Sequence, residues 1–69
     1  MNEEERIAHA IILAQDMHTQ EKYTHLAKCF QRACQMMMVS SHLWMILFFA
    51  NDRWEYKMKE WAEGILEGF

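Results

Sequence analysis

The sequence predicts an all-α protein, a small bundle of three to four helices that can be read as two degenerate helical hairpins. Three observations carry this. Proline is absent and the two glycines, Gly64 and Gly68, both stand near the C-terminal end, so no strong helix breaker interrupts what precedes them. Seven methionines accompany many Glu, Lys, Leu, Ala and Gln residues, all good helix formers. Apolar residues recur at three and four positions, the period of a helix, rather than at every second one. With 69 residues the chain forms one domain, residues 1–69. A lone core of that size leaves a small margin over conformational entropy, so a partner or self-association is expected to add stability.

The first helix is expected from about Glu3 to His18. Asn2 can cap it, Glu5 stands where a capping box needs it, and Glu3 and Glu4 suit the positive end of the helix dipole. Ile7, Ala10, Ile11, Ala14 and Met17 form its inward stripe, widened by Ile12 and Leu13. Polar residues from His18 to Lys22 mark a tight turn, with Thr19 as a cap candidate. The second helix is expected over about residues 21 to 38, with Tyr23, Leu26, Ala27, Phe30, Ala33, Cys34 and Met37 inward. Lys22, Lys28, Gln31, Arg32 and Gln35 then face outward.

The third helix begins after Ser40 or Ser41 and carries Leu43 to Ala50, an unbroken apolar run. At about 100° per residue such a run passes more than twice around a helix axis and leaves no face for water, so it must be covered on all sides. Asn51-Asp52-Arg53 is either a break or a polar turn of a continuing helix. Beyond it, Trp54, Met58, Trp61 and Ile65 make the last inward stripe, and Glu55 with Lys59 a favourably oriented pair on the wet side.

Several classes are disfavoured at once. The apolar stretch from Met36 to Ala50 is shorter than the roughly 20 residues of a membrane span and is interrupted by Ser40, Ser41 and His42. The opening Met-Asn-Glu-Glu-Glu-Arg is acidic where a secretory leader is basic. Cys29 and Cys34 are too few for a disulfide framework and lie on different faces of one helix, which suits reduced thiols in the cytoplasm.

An offset of 31 residues lays Gln20-Glu21-Lys22-Tyr23 on Asn51-Asp52-Arg53-Trp54, Phe30 on Trp61, Ala33 on Gly64 and Leu13 on Trp44. On these residues the chain resembles the tetratricopeptide repeat family, in which a large residue opens the second helix, an aromatic follows seven positions later and a small residue three after that. Tyr23, Phe30 and Ala33 fit that spacing, as do Trp54, Trp61 and Gly64, while Leu13-Ala14 and Trp44 with Leu47 resemble the first-helix pattern. The offset is shorter than the family's period of about 34, Glu21 and Asp52 stand at the turn glycine, and the closing proline is missing. A three-helix arrangement with one long C-terminal helix is the alternative. The resemblance implies peptide or protein binding in a helical groove, without catalysis.

Chemistry offers little. His18, Glu21 and His25 share a face only if one helix runs through them, and His25 with Cys29 matches no established ligand spacing, so solvated histidines are the simpler reading and no metal site is expected. Cys29 lacks a third residue to orient a base and a glycine-rich oxyanion loop, and no phosphate-cradling loop exists either. The expectation is a protein with no cofactor and no enzymatic activity.

The net charge is −3, yet Lys22, Lys28 and Arg32 lie in a stretch between Glu21 and Asp52 that holds no acid. Three cations are a slim footprint for phosphate contacts, so nucleic acid is the disfavoured partner and a small helical DNA-binding regulator the alternative reading. Pairing of this basic face with the acidic termini is the simpler account of it. The methionines and aromatics point elsewhere. Met36, Met37 and Met38 adjoin Trp44, Met45, Phe48 and Phe49, and these residue types are adaptable packers and frequent interface anchors. The leading expectation is a helical protein–protein interaction module, an adaptor, chaperone-like protein or inhibitor, that binds a protein partner or itself through the surface around residues 36–49, with Met36, Met37, Trp44, Met45, Phe48 and Phe49 as its contact residues. Inhibition of a host protein by a phage or virus product is a further alternative.

Overall fold

The computed structural model describes residues 2–40, 42 and 54–68. Among them the chain is all-α: helix α1 spans Glu3–Thr19, α2 Leu26–Met36 and α3 Trp54–Glu67, with no strand. The run from Leu43 to Ala50 and the break at Asn51–Arg53 lie outside the described residues, as do the expectations placed on them.

Helix α1 is the element on which both others pack. Its buried residues are Ile7, Ala8, Ala10, Ile11, Ala14 and Met17, the expected stripe with Ala8 added, and Ile12 and Leu13 are half-buried against the same core. At about 100° per residue these positions cover roughly 180° of the helix circumference, wide enough for two neighbours. Three of the six are alanines, which let the neighbouring backbones come close. From α2 the core takes Cys29, Phe30, Ala33 and Cys34, and from α3 it takes Ala62.

The start of α1 is as the sequence indicates. Asn2 has extended backbone and its Oδ1 accepts a hydrogen bond from the Glu5 N–H at 2.8 Å, while Glu3, Glu4 and Glu5 occupy the first turn. Its end uses a device the sequence does not advertise. The Lys22 N–H bonds the Met17 carbonyl at 3.0 Å, the Glu21 N–H bonds the His18 carbonyl at 3.0 Å, and Glu21 takes a left-handed backbone with φ of 56°. This is the paired 6→1 and 5→2 closure that normally places glycine at the left-handed position. Helix α2 ends the same way: Val39 N–H to the Cys34 carbonyl at 2.8 Å, Met38 N–H to the Gln35 carbonyl at 3.3 Å, and Met38 at φ 58°.

The closure at Glu21 explains why α2 starts at Leu26 and not near residue 21. The amide groups of Glu21 and Lys22 are committed to α1, so the chain needs the bends through His25 before a new helix can begin. His25 stands at the N-cap and makes no side-chain capping bond. Thr19 is not a cap but the last residue of α1, its Oγ1 donating back to the Gln15 carbonyl at 2.9 Å. With the start moved, Tyr23 and Ala27 are exposed rather than inward. The outward assignment of Lys22, Lys28, Gln31, Arg32 and Gln35 holds.

On α3 the inward face is turned by about one residue from the expected stripe. Ala62 is fully buried, Met58, Ile65 and Leu66 are half-buried against the core, and Trp61 is 37% exposed. Lys59 pairs with Glu63 at 4.0 Å, and the side chain of Glu55, its expected partner, lies outside the described ones.

Candidate functional site

Helix α2 and its closing turn position the part of the expected surface that is described. Met36 is the last residue of the helix and is 52% exposed; Met37, at the C-cap, is half-buried against the core. Met38 sits at the left-handed position and is 81% exposed, while Val39 turns back to pack on the core as its N–H closes the helix. Alternate side chains of this turn therefore go out, in, out and in. Trp44, Met45, Phe48 and Phe49 lie outside the described residues.

Met38 belongs to the methionine run that opens the expected surface, but its exposure is not readable from the sequence. Its exposure depends on where the helix closes, and with no glycine before Gly64 no residue type marks that place. A left-handed backbone costs an L-residue roughly 1 to 2 kcal/mol. Met38 thus holds a large apolar side chain in water on a backbone that glycine would adopt without strain.

Elsewhere, shallow grooves lie among the described residues. One, of about 310 Å³, lies where α1 meets the other two helices, lined by Gln15, His18, Thr19, Leu26, Tyr56 and Lys59. A second follows the outer face of α2, where Tyr23 adjoins Lys28, Gln31, Arg32 and Gln35 and the Arg32 guanidinium reaches the Gln35 Oε1 at 3.4 Å. A third runs along α3, where Tyr56 adjoins Lys59, Glu60 and Glu63. The groove on α2 is basic, and the one on α3 bears two carboxylates with Lys59 paired to one of them.

The chain matches no protein-family model, no curated protein and no solved structure. Function must therefore be argued from the chain's own residues.

The thiols are placed for packing. Cys29 and Cys34 are both buried, about 140° apart around α2, and so form the two margins of its inward face. Burial pushes both thiols up, Cys34 to about 11, while a backbone hydrogen bond draws Cys29 part of the way back. A thiol held protonated at neutral pH and covered by the core is a poor nucleophile. His25, which would have to activate Cys29, is itself exposed. Among the described residues no three His, Cys, Asp or Glu side chains gather as metal ligands would. No helix among them is long and apolar enough to cross a membrane.

Proposed function

We propose that this chain is a small helical interaction module that binds a protein partner, or a second copy of itself, through an apolar surface beginning at Met36, Met37 and Met38. In sequence that surface continues into Trp44, Met45, Phe48 and Phe49. The observation that carries the reading is the end of α2, where Met36 and Met38 are 52% and 81% exposed around a strained turn. Solvent gains nothing from two large apolar side chains, whereas methionine is well suited to a surface that must fit another protein. Adaptor, chaperone-like and inhibitor roles all use such a surface.

The mass of the purified chain in solution, alone and after recovery from its native extract, tests this together with Met38→Glu and Phe48→Glu. The expected result is an oligomer or tight hetero-complex in the parent chain that either substitution separates while circular dichroism shows the helices intact. A clean monomer with no copurifying protein, or a chain that unfolds under both substitutions, contradicts the reading.

A further inference from the structure

The exposed charges of α2 and α3 differ in balance. On α2 the exposed Lys28 and Arg32 stand one turn apart with Gln31 and Gln35 beside them, and the helix contains no acid. On α3 the exposed Glu60, Glu63 and Glu67 recur at three and four positions, within about 60° of one another around the axis, with the exposed Lys57 and Lys59 at the two margins of that cluster. One tyrosine borders each face, Tyr23 the basic one and Tyr56 the acidic one, and both are exposed. The two faces do not neutralise each other within one molecule: among the described residues the ion pair formed is Lys59 with Glu63, inside α3, and Arg32 is turned to Gln35.

We propose that the two faces are the halves of one interface, the basic face of α2 in one copy docking on the acidic face of α3 in the next. This rests on the self-association arm of the reading above and adds to it the orientation of the copies. A second copy is favoured over a nucleic acid because the chain is acidic overall and offers two adjacent cations on the helix, few for a phosphate backbone, while Lys59 takes up Glu63 and leaves Glu60 and Glu67 of the α3 cluster as their counterparts. Exposed ion pairs are individually weak and screened by salt, so these set the register and the sign of the contact while apolar contacts hold the copies together. The contact joins two different faces. It is therefore heterologous, and each copy keeps one face of each sign for a further neighbour, giving open chains or a ring rather than a two-fold dimer.

Sedimentation equilibrium of the full chain against salt, with charge-reversed variants, tests this. Lys28→Glu with Arg32→Glu makes both faces acidic, and Glu60→Lys with Glu63→Lys makes both basic. Each double variant alone should associate at least about tenfold more weakly than the parent at low salt, and raising the salt should narrow the gap. An equimolar mixture of the two should recover the association, because every contact then joins opposite signs. Glu3→Lys with Glu4→Lys, which changes net charge by the same amount as the α3 pair but at the start of α1, should associate like the parent. If a reversed pair disturbs the helix, Lys28→Gln with Arg32→Gln replaces it, with a smaller loss expected in the same direction.

Association that persists unchanged in both reversed variants overturns this proposal and leaves the apolar reading standing. A parent chain that stays monomeric at every concentration also overturns it, and the Met38→Glu test with a copurified partner then decides the apolar reading alone. Salt-dependent shifting of nucleic acid in a gel, lost in Lys28→Glu with Arg32→Glu while self-association is unchanged, would assign the basic face to nucleic acid instead.

Discussion

Helices α2 and α3 both pack on α1, and they do so differently. Helix α2 sinks Phe30, 2% exposed, between two buried thiols, with Ala33 fully covered beside it. Helix α3 approaches through one alanine, Ala62, flanked by half-buried Met58, Ile65 and Leu66. Trp61, the residue that the 31-residue offset lays on Phe30, is 37% exposed, and Gly64, laid on Ala33, has open space where a β-carbon would be. Similar residue spacing has thus been used for a deep contact in one case and a shallow one in the other. The difference lies in which residue meets α1: a large ring filling a gap in α2, a methyl group allowing close approach in α3.

The largest test of that difference is truncation of the two rings. Phe30→Ala removes a buried ring and should cost about 3 to 5 kcal/mol, which in so small a domain approaches the whole stability. Trp61→Ala removes a ring that is partly in water and should cost about 1 kcal/mol. Urea denaturation followed by circular dichroism measures both. Equal losses would mean that the rings do equivalent work and that α3 is docked as firmly as α2.

The thiols provide a second asymmetry, since both belong to α2. Their protons are held more tightly folded than unfolded, so the folded state gains from them fully below about pH 9, the ordinary thiol value, and loses that gain as pH rises toward the Cys34 value of about 11. Through that window each pH unit removes up to about 1.4 kcal/mol. Denaturation midpoints should fall between pH 9 and 11, and Cys34→Val should flatten the fall. At pH 8 a thiol reagent should modify Cys29 and Cys34 only as fast as α2 opens. Rapid labelling of the folded chain at that pH would show that the thiols are reachable without opening.

Next in size come the two small residues. Ala33→Leu should overpack the α1 contact and cost about 1 to 3 kcal/mol. At Gly64 an added side chain meets nothing, and glycine inside a helix is itself unfavourable, so Gly64→Ala should stabilise by up to about 1 kcal/mol. A loss of stability in Gly64→Ala would place a neighbour against that face.

How much of this was legible beforehand follows from which signals depend on local periodicity. The all-α class, the N-cap at Asn2 and the stripe of α1 were all readable, because each is set by residues within a turn or two of one another. The start of α2 was not, because it depends on Glu21 taking a left-handed backbone, a choice made by tertiary packing where no glycine announces it. The rotation of the α3 face was missed for a related reason. Trp61 is the most apolar-looking residue of its turn, yet Ala62 beside it is fully buried while Trp61 is 37% exposed, a choice that periodicity alone does not fix. Of the expected surface, Met36, Met37 and Met38 fall among the described residues, and which of them is exposed follows from where α2 closes.

The smallest expected effect concerns the helix ends, and it separates folding from binding. Helix α2 closes on Met38 at φ 58° and α1 closes on Glu21 at φ 56°, while Gly68, at the end of α3, is not in the left-handed region that suits its residue type. Replacing either strained residue by glycine relieves roughly 1 to 2 kcal/mol of backbone cost, against about 0.4 to 1 kcal/mol of added freedom in the unfolded chain. Both Glu21→Gly and Met38→Gly should therefore stabilise the fold slightly, by a few tenths to about 1 kcal/mol. Their effects on association should part company. Glu21→Gly touches no apolar surface and should leave association as it was, whereas Met38→Gly deletes the most exposed large apolar side chain among the described residues and should weaken it. A thermal melt paired with a measured association constant for each variant decides the matter. If Met38→Gly stabilises the chain and leaves association untouched, the strained turn is a folding accident and the interaction surface must lie elsewhere on the molecule.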